Sequence, residues 1–176
     1  MWDAAAVSIE RDTALVEEAC RKTPMSWLQP AGQPRAVIAW HIWHDGALYV
    51  VSGGLEQSLP PMPEGEPITV TVRSKDTGSR LVTWVGTAQP INPGTPEWDD
   101  VVPELHAKRL NPTDGEQQPV RWARESTVTR IVPTGELVEA PGRMPQRSHA
   151  APPPASPATT RGALPFVIGR RARRRR

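Results

Sequence analysis

Asp45-Gly46 constrains this chain more than any other pair of residues. It stands between two runs rich in β-branched and aromatic side chains, Arg35–His44 (RAVIAWHIWH) and Ala47–Ser52 (ALYVVS). An Asp-Gly pair in that setting supplies the positive φ angles of a two-residue type I′ turn and predicts a tight hairpin. A second pair of strands follows. Ile68–Arg73 (ITVTVR) alternates apolar and polar residues, Asp76-Thr77-Gly78 turns the chain, and Arg80–Gln89 (RLVTWVGTAQ) returns. Such strict alternation is the mark of a strand with one buried face. Between the hairpins, Gly53–Pro67 (GGLEQSLPPMPEGEP) is too rich in proline and glycine for anything but a loop or irregular crossover. If the hairpins lie side by side, Ser52 and Gln57 approach the turn after Arg73.

Helices are predicted at both ends of this β-rich stretch. Residues 12–22 place Leu15, Val16, Ala19 and Cys20 on one face, with Asp12 at the start and Pro24 just past the end. A second helix is predicted over about residues 96–110. Thr95 caps it, Pro96 occupies its first position, and Trp98, Val101, Val102 and Leu105 form its apolar stripe. Pro103 lies far enough inside to kink or divide it. Ser126–Pro133 (STVTRIVP) reads as a late strand closed by Thr134-Gly135. Hairpin, hairpin, helix and strand together imply a mainly β domain over residues 1–140, a small antiparallel barrel with helices packed outside.

Charge separates this body from the rest of the chain. Residues 1–140 hold all 19 acids and 12 of the 21 basic residues, a net −7; residues 141–176 hold nine arginines and no acid. That last segment is rich in proline and small residues, lacks apolar mass for a core, and is expected to be a disordered tail. One cysteine, Cys20, excludes an internal disulfide and any cysteine-rich zinc module. A start with no basic segment and no long apolar run predicts no signal peptide, and no run approaches the ~20 apolar residues of a membrane span. A cytoplasmic protein is expected.

Chemistry-bearing residues are few. His41 and His44 are three apart in a predicted strand, so they point to opposite faces and do not chelate one metal. Glu97, Asp99 and Asp100 fall in the first turns of a helix, where they complement its dipole. Arg109, Asn111, Arg121 and Arg124 either reach an anionic ligand or pair with the body's excess acids. The most chemical stretch is Arg73–Arg80 (RSKDTGSR), with three cations and several hydroxyls at a strand end and its turn. It reads either as a phosphate site built from charged donors and backbone N–H groups, or as a solvated hairpin tip. Trp84 lies on the strand leaving that turn, placed either to cover an aromatic ring or to fill the core.

The order ALYVVSGG, ITVTVRSK and RLVTWVGTAQPI resembles the flavin-binding split β-barrel family of pyridoxamine 5′-phosphate oxidase-like proteins, over about residues 20–135. The resemblance implies a homodimer that binds FMN or a deazaflavin between subunits, and an oxidoreductase acting on a small molecule. It implies that Arg73, Ser74 and Lys75 hold the phosphate, with Ser52 and Gln57 near the ring or ribityl chain and Trp84 beside it. The crossover LEQSLPPMPEGEP departs from the basic segment usual there. Nothing resembles the pyridoxal-phosphate substrate motif of the true oxidase. The alternative reading is a cofactor-free binding barrel whose arginine-rich tail contacts nucleic acid or another polyanion through salt-dependent, sequence-independent attraction.

Overall fold

The computed structural model describes residues 4–110, 112 and 114–145, with side chains from residue 10 onward. The expected tail falls almost wholly outside them, as does Asn111. The elements run α1 (Ala4–Lys22), β1 (Met25–Pro30), β2 (Val37–Trp40), β3 (Ile42–His44), β4 (Ala47–Ser52), β5 (Pro67–Arg73), β6 (Arg80–Ile91), α2 (Pro96–Lys108), α3 (Gln118–Glu125) and β7 (Thr127–Glu139). A short 3-10 turn, Gly115–Gln117, precedes α3.

All seven strands form one antiparallel sheet in the order β2-β1-β5-β6-β7-β4-β3. Its two outermost strands, β2 and β3, are consecutive in the chain and separated only by His41. A sheet whose edges are joined by one residue must roll until those edges meet, so the sheet is a barrel with its seam at His41. The core agrees. Leu28, Ala39, Trp43, Leu48, Val50, Ile68, Val70, Val72, Val82, Trp84, Ala88 and Ile131 form a single buried cluster to which every strand contributes, and Val16, Ala19 and Cys20 of α1 join it. The mainly β antiparallel barrel with flanking helices expected from the sequence is therefore what the strand pairings build.

A second cluster lies outside the barrel wall. Ala47, Tyr49 and Val51 alternate with the inward Leu48 and Val50, and meet Trp98, Val101, Val102 and Leu105 of α2 and Trp122 of α3. β4 is thus buried on both faces, which explains its unbroken apolar run.

Several details differ from expectation. The predicted strand Arg35–His44 is two strands, because at His41 the chain leaves its pairing with β1 and takes up one with β4. The two hairpins exist but do not lie side by side: β4 pairs with β7, and β5 pairs with β1 and β6. β1 and α3 were not anticipated. β7 continues past Thr134-Gly135 to Glu139 through irregularities in its pairing with β6. α1 begins at Ala4 rather than near Asp12, since an alanine-rich start favours helix. Pro103 sits inside α2 without ending it.

The strong local signals hold. Asp45 (φ 40°) and Gly46 (φ 72°) make the β3–β4 turn left-handed at both positions. Thr95 Oγ1 accepts the Trp98 N–H at 3.2 Å, with Pro96 opening α2. Gly86 meets a different need. A Cβ there would lie 2.6 Å from Ile131 Cγ2 and 2.7 Å from the Trp84 ring, so the barrel interior has no room for one.

Candidate functional site

Arg73, Ser74 and Lys75, the residues expected to hold a phosphate, lie at the β5–β6 turn. Ser74 N–H donates to Ser79 O at 2.7 Å, Gly78 N–H donates to Ser74 O at 3.0 Å, and the Thr77 and Ser79 hydroxyls meet at 2.6 Å. Ser74 Oγ accepts the Thr77 N–H at 3.3 Å, and Thr23 Oγ1 donates to Arg73 O at 3.4 Å, tying the root of the turn to the end of α1. These bonds shape the loop and leave the charged side chains outside it. Arg73 and Lys75 are exposed and have no ion pair among the described residues. Arg80, the third cation of the stretch, pairs with Glu139 at 3.3 Å, while Glu139 also accepts the Thr83 hydroxyl.

The remaining expected contacts lie elsewhere. Ser52 pairs with Thr127, beside the far end of β6 (Ile91 faces Val128), whereas Arg73 faces Arg80 at its near end. At ~3.3 Å per residue, β6 separates Ser52 from the cationic turn by roughly 35 Å along the strand. Ser52 instead borders a cleft of about 350 Å³ with Ser58, Thr127 and Thr129. Gln57 spends both ends of its amide on one residue: Oε1 accepts the Trp40 N–H at 2.8 Å and Nε2 donates to Trp40 O at 2.9 Å. Trp84 fills the barrel interior at 1% exposure, edge-on to Trp43 with ring centroids 6.3 Å apart. Six residues expected around one ligand thus divide into three neighbours, the exposed Arg73 and Lys75 with the half-buried Ser74 between them, and three that this chain does not bring to them.

A second cluster was not anticipated. Glu56, in the crossover, has its side chain 3% exposed. Its Oε1 accepts from Gln118 Nε2 at 3.0 Å, Arg121 Nη2 at 3.0 Å and Trp122 Nε1 at 2.9 Å, and its Oε2 accepts from Arg109 Nε at 3.0 Å. Burial works against the carboxylate, but the donors from Trp122, Arg121 and Gln118 outweigh it and hold its pKa below the ordinary value. Arg121 also pairs with Asp114, and Arg109 stacks over the Trp40 ring at 5.7 Å. Gly53 and Gly54 bring the crossover here. Both have positive φ, and a Cβ on Gly54 would lie 3.1 Å from Glu125 O. Two of the arginines read from the sequence as ligand contacts or partners for excess acids are therefore partners for acids. One readable signal was a lone acid close behind a double glycine; its partners are 53 to 66 residues away.

The other reactive groups are committed or insulated. Burial pushes the Cys20 thiol up to about 12 despite the Trp84 indole, so it is not a thiolate at neutral pH. Burial pulls His41 down to about 4, against the carbonyls of Cys20 and Ala39, so its ring is neutral. His44 points the other way, to Asp100 and Glu104 of α2. Glu97 accepts the Tyr49 hydroxyl at 2.9 Å and pairs with Arg130 at 3.4 Å. Among the described residues, no group of three or more His, Cys, Asp or Glu is arranged to hold a metal, and no helix is long and apolar enough to cross a membrane.

No family model and no curated protein sequence matches the chain. Solved structures with a similar chain path include the haem storage protein HutZ from Vibrio cholerae (TM-score 0.48, 12% identity, covering 69% of this chain and 89% of that one). Others are a putative general stress protein 26 from Jannaschia sp. CCS1 (0.45, 14%, 72% and 74%) and an FAD- and haem-binding protein from Mycobacterium smegmatis (0.41, 16%, 85% and 90%). At these values the similarities are of chain path alone, and the barrel rests on its own strand pairings and core.

Proposed function

We propose that this barrel binds FMN or a deazaflavin, gripping its phosphate at the β5–β6 turn, and works as a homodimeric oxidoreductase on a small molecule in the reducing cytoplasm. The observation that carries the reading is the pair of exposed cations, Arg73 and Lys75, that have no ion pair among the described residues and flank Ser74 at the turn. Charged donors converging on one loop are the means by which proteins hold a phosphate. The isoalloxazine, when bound, supplies the two-electron chemistry, while the protein supplies position and polarity. Arg73 and Lys75 neutralise the phosphate, and the Ser74 hydroxyl adds a neutral donor.

One chain fits only part of such a ligand. It offers the phosphate end of the site; Ser52, Gln57 and Trp84 do not complete a ring end beside that turn. A homodimer answers this need, because a second copy brings its own surfaces to the groove. The outer face of β1 suits such a contact, since Trp27 is half-exposed there beside Ile38 of β2, which is 48% exposed.

Titrating the purified full chain with FMN and with a deazaflavin, read by visible absorbance and fluorescence, tests the reading. Saturable binding is expected, with a sedimentation mass of two chains. No binding of either compound contradicts it.

A further inference from the structure

His44 sits at the tip of the β3–β4 hairpin and touches a carboxylate with each ring nitrogen. Nε2 lies 2.7 Å from Asp100 Oδ2, and Nδ1 lies 2.9 Å from Glu104 Oε2, one turn further along α2. A neutral imidazole has one N–H and one lone pair, so it can satisfy only one of two ionised carboxylates; the other then meets it lone pair to lone pair. Only the imidazolium donates to both. We propose that His44 is a proton-controlled latch, holding α2 against the β3–β4 hairpin when doubly protonated and releasing one carboxylate when it loses a proton.

The groups around the ring support this. On α2, Lys108 is 3.8 Å from Glu104 and shares that carboxylate without replacing the histidine. On β4, Tyr49 meets the ring edge-on at 6.1 Å, and its hydroxyl is turned away to Glu97, itself paired with Arg130 of β7. Asp45 follows in the turn and adds negative charge. From α1, Arg21 lines the same cleft and is paired with Glu17. Burial disfavours the charged ring, but Asp100 and Glu104 outweigh it and raise its pKa above the ordinary 6.5. A group whose pKa is raised in the folded state contributes fully below the unfolded value, and that contribution is lost as pH rises through the folded value. The latch is closed in mild acid and opens at some pH above 6.5.

His44, Asp45, Glu104 and Lys108 are also part of the lining of a cleft of about 530 Å³ between α1 and α2, over Trp40 and His41. Opening the latch loosens that wall and leaves the barrel core untouched, since neither carboxylate belongs to it.

The test is a pH series on the full chain from 6 to 9, following the His44 ring by NMR and α2 amide exchange corrected for its intrinsic pH dependence. His44 is expected to titrate above 6.5, and α2 protection is expected to fall roughly two- to fivefold through that transition, the size appropriate to a half-exposed ion pair. Asp100→Asn and Glu104→Gln should each lower the His44 pKa, and His44→Gln should abolish the step in protection. A wild-type ring that titrates at or below 6.5 overturns the proposal, as does protection that is flat with pH or that falls equally in His44→Gln.

Discussion

Two groups of cations on this barrel have opposite fates. Arg109 and Arg121 converge on Glu56, buried and shared with Gln118 and Trp122, while Arg73 and Lys75 stand exposed with no acid paired to them among the described residues. In the sequence both groups look alike, as arginines and lysines among polar residues at the end of a predicted element. Burial and partners separate them. A cation that is bonded to a buried carboxylate stabilises the fold and is unavailable to a ligand, whereas an unpaired cation on a turn contributes little to folding and is free to bind. Cationic residues therefore mark a binding site only where the fold leaves them unspent.

The largest effect that could break this contrast is on stability. Glu56→Ala removes the acceptor of four donors and leaves Arg121, 8% exposed, with an incomplete set of partners. Breaking a buried pair in this way should cost about 3–5 kcal/mol in urea or thermal unfolding. A loss below 1 kcal/mol would show that the cluster is not a structural hub. Gln57→Ala comes next. Losing both bonds to the Trp40 backbone should cost about 1–3 kcal/mol by the same assay, with no change in FMN affinity. A selective loss of affinity would move Gln57 from the structural group to the ligand group.

Acid titration sharpens the comparison further. The Glu56 carboxylate is held below its ordinary pKa of 4.5, so its contribution is present above that value and is lost as pH falls through the folded value. Unfolding free energy measured from pH 6 downward should therefore fall more steeply in the wild type than in Glu56→Gln. Parallel slopes would contradict the assigned direction. The smallest expected effect lies in the turn, where Arg73→Ala and Lys75→Ala should each shift stability by no more than ~0.5 kcal/mol, as exposed substitutions generally do.

Sequence and structure agree where the signal is local. Asp45-Gly46, the alternation of Ile68–Arg73 and the Thr95-Pro96 start of α2 each need only a few neighbouring residues to be read. β1 escaped because MSWLQP carries apolar residues on both faces, with Leu28 inward and Trp27 outward against β2, so no alternation shows. α3 escaped because its buried residues are Gln118, Arg121 and Trp122, which make no apolar stripe. The side-by-side arrangement of the hairpins failed for a topological reason. Only the pairing of β7 with both β4 and β6 determines which strands are neighbours, and it joins segments about 40 to 80 residues apart. The same long-range pairings separate Ser52 from Arg73, while Gln57 is spent on the Trp40 backbone, 17 residues away. What was legible of the candidate site is the local β5–β6 turn that places Arg73, Ser74 and Lys75 together, and what was illegible is whatever depends on distant pairing.

The flavin reading depends most on the phosphate-holding role proposed for Arg73 and Lys75. Its most direct measurement compares the affinities of FMN and riboflavin, which lacks the phosphate, for the wild type, Arg73→Ala and Lys75→Ala. FMN should bind the wild type more tightly than riboflavin, and each substitution should weaken FMN by about 1–3 kcal/mol while leaving riboflavin unchanged. Equal affinity for the two flavins, or substitutions that leave FMN binding intact, would contradict the account.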